Sequence, residues 1–333
     1  MNGFFDFSHK PYILDTACVA GKMESEGPLG GEFDFEDKSN LFGKKTWEEA
    51  ESEMQRLAYN AVLSKLGFSY SDVELAISGD LMNQCVAGAY SFSNVPVSYI
   101  GIYGACSTFA LGLAIGSVIL NARRNIRIAT LTSSHYCSAE RQFRTPLEYG
   151  SQRTPTAQWT VTGAAAIILS GRKENSDIYV KDAYIGRIID KSINDPNNMG
   201  AAMAPAAADT LTSYFRETGT HPSDYDMIYT GDLGEEGSEI LCDLMRDSGY
   251  IIKDNYRDCG CIIYDIAKQD VHAGGSGCAC SACVFSARLH KLMRGGKLKN
   301  ILIIGTGALM NPQMLMQGGN IPGIAHLVHI VKE

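Results

Sequence analysis

The stretch GACSTFALGLAIGSVIL (Gly104–Leu120) sets a cysteine in a small-residue turn and follows it with an uncharged, apolar run. As a helix it makes about four turns with no charged face, the mark of a helix covered on every side. The run stops at Asn121-Ala122-Arg123-Arg124 and contains Ser107, Thr108 and Ser117. It is short for a bilayer span, and its small residues suit burial within protein. The rest of the chain must therefore supply layers on both sides of it. A thiol at a helix N-terminus also sits where the dipole and free N–H groups favour the thiolate, which makes Cys106 a candidate nucleophile.

A repeat supplies those layers. GFSYSDVELAISGDL (Gly67–Leu81) and GTHPSDYDMIYTGDL (Gly219–Leu233) share Gly, Ser-Asp and Gly-Asp-Leu at a constant offset of 152 residues. Upstream of Gly67, TWEEAESEMQRLAYNAVLSKLG predicts a helix that opens on a capping box, Thr46 with Glu49, and stops at the glycine. Upstream of Gly219, MAPAAADTLTSYFRETG predicts its counterpart. A second pair begins at Gly104 and Gly277: Ala105-Cys106-Ser107 matches Ala279-Cys280-Ser281, each followed by a helix, a basic turn and a β-branched strand. The period is too long for a solenoid and implies two copies of one α/β unit. Alternating helices and short apolar strands predict largely parallel sheets, with the Cys106 and Cys280 helices between them. We place the halves at 1–175, carrying the nucleophile-position cysteine, and 176–333.

Composition narrows the function. The 333 residues are 45% hydrophobic and 20% charged, with a net charge of −8, values of a globular chain. No Lys/Arg cluster marks a nucleic-acid footprint. The N-terminus MNGFFDFSHKP lacks the basic and apolar regions of a signal peptide. The ten cysteines are then expected as reduced thiols. Neither Cys259-Gly260-Cys261 nor Cys278–Cys283 has the paired spacing of a zinc ribbon, so no metal is expected. Gly274-Gly275-Ser276-Gly277 could hold an anion on its N–H groups, but it lacks the lysine of a phosphate loop, and FGKKT (Phe42–Thr46) lacks the glycine spacing. We expect no nucleotide and no cofactor.

Duplicated α/β halves around a buried helix with a cysteine at its start resemble the thiolase fold, which implies a five-layer α-β-α-β-α arrangement. In thiolases and 3-ketoacyl-ACP synthases a cysteine at the place of Cys106 takes the acyl group. The chain resembles one family more closely. EGPLG (Glu26–Gly30), GDLMNQ (Gly79–Gln84), GACST (Gly104–Thr108), TSSHYCSAERQFRTPLEYG (Thr132–Gly150), MGAAMAPAAADT (Met199–Thr210), TGDL (Thr230–Leu233), AGGSGCACSA (Ala273–Ala282) and TGALMNP (Thr306–Pro312) are similar to the stage V sporulation protein AD family of endospore-forming bacteria. That resemblance spans essentially the whole chain. It implies dipicolinic acid binding during uptake into the forespore. It also implies membrane-embedded stage V A partners, a peripheral place on the cytoplasmic side of the forespore inner membrane, and a homodimer.

Acyl transfer needs a base for the thiol and donors for a thioester oxygen. Where condensing enzymes carry a histidine motif, this chain has Gly231-Asp232-Leu233. An ionised carboxylate there raises the thiol pKa and donates nothing. His272 in VHAGGSG loosely resembles the histidine of a thiolase loop and is the possible partner of Cys106; as a lone histidine beside a glycine loop it suits a structural role better. We therefore expect a binding protein, with an acyl-transfer enzyme using Cys106 as the alternative and an assembly subunit as a third reading. Besides Cys106, Ser107 and His272, the candidate ligand residues are Ser133, His135 and Arg144 in SSHYCSAERQFR, Asn83 and Asn311 near strand ends, and Asp80 and Asp232. Arginine forks suit carboxylates. The bland readings are a surface Glu140–Arg144 pair and helix caps for the two aspartates.

Overall fold

The computed structural model describes residues 3–144 and 153–333. The Thr145-Pro146 step and the remainder of the TPLEYG motif lie outside them. The first half lays down β1 (Tyr12–Ala20), α1 (Trp47–Leu66), β2 (Leu75–Gly79), β3 (Ser98–Gly101), α2 (Thr108–Ala122), β4 (Arg127–Ser134), α3 (Tyr136–Phe143) and β5 (Gly163–Ser170). The second lays down β6 (Ile178–Ile185), α4 (Met199–Thr218), β7 (Met227–Thr230), α5 (Gly234–Asp247), β8 (Tyr256–Asp258), α6 (Cys278–Val284), β9 (Asn300–Ala308) and β10 (Gly323–Lys332).

Strand order repeats. The first half runs β1-β5-β4-β2-β3 across the sheet and the second β6-β10-β9-β7-β8. In each, the second strand is parallel to both its neighbours and the last strand is antiparallel to both of its own. The sheets are thus mixed rather than largely parallel, because the closing strand of each half returns between the first strand and the parallel trio. The halves meet edge to edge where Tyr12 pairs with Tyr179.

The repeat also holds in local detail. Helices α1 and α4 each end on a left-handed glycine, Gly67 at φ 68° and Gly219 at φ 66°. A 3-10 turn follows each, closed by Asp72 accepting from Ser69 N and Asp224 accepting from His221 N, both at 2.8 Å. The start of α1 is half the expected box: Thr46 Oγ1 accepts from Glu49 N, but the Glu49 carboxylate takes Lys45 N.

Five layers result. Helix α1 covers the outer face of β1, β4 and β5, while α4 and α5 pack together and α4 covers the outer face of β9 and β10. Helix α2 lies between, touching β2, β4 and β5 on one side and β6, β9 and β10 on the other, and α6 joins it. This explains why Ala105–Ala122, with a mean hydropathy of 1.7 over 18 residues, is long and apolar enough to cross a bilayer while 67% of it is buried inside the protein. The cover is incomplete, however: Leu111, Ile115 and Ile119 are half-buried and Val118 and Ala122 exposed, a stripe at helical spacing that the all-round-burial reading did not anticipate. Helix α6 differs from α2 in that Cys280 lies inside it rather than ahead of it, and the chain passes through a π turn, Phe285–Leu289, into His290–Arg294.

Candidate functional site

Cys106 is placed by strain and small residues. Ala105 takes φ +49°, a conformation that a residue with a Cβ adopts only under tertiary constraint. Ser107 Oγ and Thr108 Oγ1 close the turn by donating to the carbonyls of Gly104 and Ala105, each at 2.6 Å. Ser107 is therefore a turn-former, fully buried. Gly307 lies against this turn: a Cβ there would stand 2.6 Å from Gly104 O.

Three further motifs converge on the thiol. Cys106 Sγ is 3.8 Å from Ser276 Oγ, which donates to Asp232 Oδ2 at 3.0 Å. Gly277 N donates to the same oxygen at 3.0 Å, and Thr306 Oγ1 donates to Oδ1 at 2.7 Å. The ladder of Gly275–Ser276 with Trp159–Thr160 fixes this loop. The glycine-rich turn does hold an anion, and the anion is the carboxylate of Asp232.

The electrostatics run against activation of the thiol. Burial, the nearby Asp232 charge and its hydrogen bond hold the Cys106 thiol well above its ordinary value, outweighing the Ser276 and Gly277 donors. The expectation that the helix N-terminus lowers it is therefore corrected. Burial likewise raises Asp232, against the donors that favour its ionised form. Helix caps do not account for both aspartates. Asp80 accepts from Met82 N at 2.9 Å and Gly88 N at 3.0 Å, holding its own loop and short helix. In the second half that task falls to Asp258, which accepts from Leu233 N and Gly234 N and frees Asp232 to face the thiol.

His272 is not brought to Cys106. Its Nδ1 is 2.7 Å from the Thr154 carbonyl and its Nε2 3.0 Å from Asp270. Among the described residues no histidine lines the cleft above the thiol. His135 caps α3, with Nδ1 accepting from Cys137 N and Nε2 on the Asn40 carbonyl. Ser133 is buried against Glu51 and Gln55.

The cleft is narrow, with a cavity volume of about 40 Å³. Cys106, Ser276 and Thr160 form its polar base, and Leu81, Ala105, Ala139 and Ala308 line its apolar sides. Tyr103, Phe143, Met199 and Met310 complete the wall; the last three lie within the family motifs but are not among the candidate site residues. Arg144 enters with Glu140, its Nε 2.8 Å from Glu140 Oε1 and its Nη1 3.0 Å from Asn197 Oδ1. This pair is largely buried, with side-chain exposures of 17% and 10%, so it is not the surface pair of the bland reading. Arg141 instead pairs with Glu48 outside the cleft. Asn83 and Asn311 line a second, larger and more polar hollow of about 560 Å³ that shares Tyr103, Phe143 and Met310 with the first. Within it Asn311 also caps a short helix by accepting from Met314 N. Among the described residues no group of three or more His, Cys, Asp or Glu side chains is placed to hold a metal ion.

Comparison with known proteins places this geometry. The fold is shared with 3-oxoacyl-(acyl carrier protein) synthase III of Xanthomonas oryzae, at a TM-score of 0.62 and 14% identity over 98% of this chain and 100% of that one. Cerulenin-bound OleA of Xanthomonas campestris gives a TM-score of 0.62 at 14% identity over 98% of each chain. These are thiolase-like condensing enzymes, and at that identity they speak for the fold alone. In sequence, the chain is 40% identical over 320 residues to stage V sporulation protein AD of Bacillus subtilis (strain 168), covering 96% of this chain and 94% of that one. The family model for stage V sporulation protein AD (SpoVAD) matches residues 3–331, and the chain belongs to that family.

Proposed function

We propose that this sporulation protein binds dipicolinic acid and acts in its uptake into the forespore, using a thiolase-like scaffold that no longer catalyses acyl transfer. The observation that carries the non-catalytic part is Asp232, which takes Ser276, Gly277 and Thr306 as donors and faces the thiol with a carboxylate. A condensing site needs free donors for a thioester oxygen; here the donors nearest the sulfur serve an internal anion. The lining of the cleft carries the chemistry that a flat aromatic dicarboxylate uses, apolar walls and an arginine.

The alternative, acyl transfer through Cys106, draws on the retained thiol at the start of α2 and on the enzymes that share the fold. Titration calorimetry with dipicolinate, with and without Ca²⁺, tests the first reading, and flat heats in both would overturn it. Mass spectrometry after incubation with an acyl-CoA tests the second; a stable adduct on Cys106 that turns over would replace our reading.

Its partners in this role are the stage V A membrane proteins, reached from the cytoplasmic side of the forespore inner membrane, and a second copy of itself. The dimer reading draws support from edge strand β3, which pairs on one side only among the described residues. Ile102, just past the strand end, lies against Gly112 of α2, and that helix carries a half-exposed stripe from Leu111 to Ala122. An open edge flanked by apolar side chains is a surface that needs a cover.

A further inference from the structure

Among the described side chains that line the cleft, one buried oxygen has no hydrogen-bond partner. Glu140 is nine-tenths buried, its Oε1 accepts from Arg144 Nε at 2.8 Å, and its Oε2 has no partner among the described residues. A buried carboxylate oxygen left bare is costly, so its neighbour in function must bring a proton or a donor to it. Yet the dicarboxylate assigned to this cleft brings only acceptors. With Glu140 ionised, two like charges would meet in a narrow apolar slot, and Arg144, already holding Glu140 and Asn197, could neutralise only one of them.

We propose that Glu140 takes up one proton when the cleft takes a dicarboxylate, and then donates from Oε2 to the same ligand carboxylate that Arg144 holds through Nη2. This rests on the dipicolinate reading above and deepens it: the site selects a dianion by pairing a fixed cation with a carboxyl that must be neutral. The proton comes from solvent and returns to it on release; no covalent bond changes. The free site is prepared for this, since burial raises Glu140 above the usual carboxylate range even beside Arg144.

The groups around Glu140 leave it the one suited to the exchange. Arg144 and, farther off, Arg153 act on it as cations. Tyr136 and Cys137 on the same helix, and Tyr103 and Cys106 across the cleft, are all pushed upward by burial and stay neutral near pH 7. Asp232 also lies behind the thiol, raised by burial but furnished with three donors. A variant must therefore separate Glu140 from Asp232.

The test is titration calorimetry with dipicolinate on the full chain from pH 6 to pH 8.5, in EDTA, in pairs of buffers of different ionisation enthalpy. The native protein should take up about one proton per ligand, and its Kd should rise about tenfold per pH unit once Glu140 is ionised in the free site. Glu140→Gln mimics the protonated acid, with a permanent N–H donor beside Arg144. It should bind with proton uptake near zero and a Kd that changes less than threefold over the range. Its melting temperature and circular dichroism confirm that it is folded. Binding by the native protein without proton uptake overturns this inference and leaves the dipicolinate reading standing. So does proton uptake that persists in Glu140→Gln, or binding that appears only when Ca²⁺ replaces EDTA. No binding by the native protein under any of these conditions overturns both.

Discussion

The Cys106 thiol and the Asp232 carboxylate share a neighbour, Ser276, whose Oγ lies 3.8 Å from the sulfur and donates to Asp232 Oδ2 at 3.0 Å. A carboxylate in this place makes the thiolate harder to form, since burial and the Asp232 charge both act against a second negative charge. Alkylation of Cys106 by iodoacetamide should therefore be very slow at pH 7.5 and rise only at strongly alkaline pH. Asp232→Asn removes the charge and should speed alkylation at pH 7.5 at least tenfold. It also turns an amide N–H₂ toward donors that need an acceptor, at a stability cost of about 1–3 kcal/mol. The pH–rate profile of labelling, read by mass spectrometry of the Cys106 peptide, checks both. Fast labelling of the native protein near neutrality would show an activated thiol and count against the non-catalytic reading.

If the sulfur only floors the cleft, shape matters more than nucleophilicity. Cys106→Ser should bind dipicolinate within about threefold of the native Kd, because a hydroxyl replaces a neutral thiol with little change in volume and can still meet Ser276. Calorimetry reads this directly, and loss of binding above tenfold would give the thiol a larger part.

Arg144 carries the opposite expectation. Its fork spans Glu140 and Asn197 and reaches the cleft. Arg144→Lys keeps the charge but not the planar fork, and should weaken dipicolinate at least tenfold. Arg144→Ala also strips a largely buried carboxylate of its partner. We expect it to lose about 3 kcal/mol of stability as well, and to recover most of that in Arg144→Ala with Glu140→Gln. Urea denaturation of the single and double variants checks the recovery.

Much of this was legible in the chain. The repeat predicted the doubled scaffold, and its signals were local ones that the structure reproduces: two left-handed glycines, two 3-10 turns, two strands ending at Gly-Asp-Leu. The site was legible where a motif marked it, at Cys106, Asp232, the glycine-rich turn and Arg144. It was not legible where position depends on the third dimension. Asp80 and Asp232 occupy equal places in the repeat, yet only Asp232 faces the thiol: Asp258, at the end of β8 where the matching strand β3 ends in Gly101, takes the Leu233 and Gly234 amides instead. His272 resembled a catalytic histidine in its local sequence, but Thr154 and Asp270 turn the ring aside. Tyr103, Phe143, Met199 and Met310 come from four separate segments, and nothing in any one of them shows that they share a wall.

Buried acids give the fold a pH dependence of known sign. Glu24 accepts from Tyr264 OH and Thr162 N through one oxygen, while the other, buried, has no partner among the described residues. Burial pushes its carboxyl up to about 7, and Asp258, buried with Thr230 and two amides, is also at about 7. A carboxyl raised on folding binds its proton more tightly in the native state, so stability falls as pH rises from the unfolded value near 4.5 through 7. His290 and His326, lowered by burial to about 4, act with the opposite sign but only below about 6.5. Above pH 6.5 the acids act alone, and the melting temperature should drop between pH 6.5 and 8.5. Glu24→Gln should lessen that drop by about 1 kcal/mol, most of its roughly 3 kcal/mol linkage having been lost below pH 6.5; Asp258 and Glu51, the latter raised by burial to about 8, supply the rest. A melting temperature that rises over this interval, or an equal drop in the variant, would remove Glu24 as the source.

The last expectation concerns the uncovered edge. Among the described residues strand β3 pairs with β2 alone, Ile100 is 38% exposed on it, and Val118 is 37% exposed on α2. Side chains of this kind beside an open strand edge favour pairing with a second copy about a two-fold axis, since the same patch then covers itself. Light scattering behind size exclusion should give a dimer at micromolar concentration. Ile100→Lys together with Val118→Glu should leave a folded monomer, because neither side chain is needed by the core and a charge in a buried interface is costly. Native dipicolinate affinity in that monomer would show that each copy carries a complete cleft, whereas a dimer that persists unchanged would move the interface to another face.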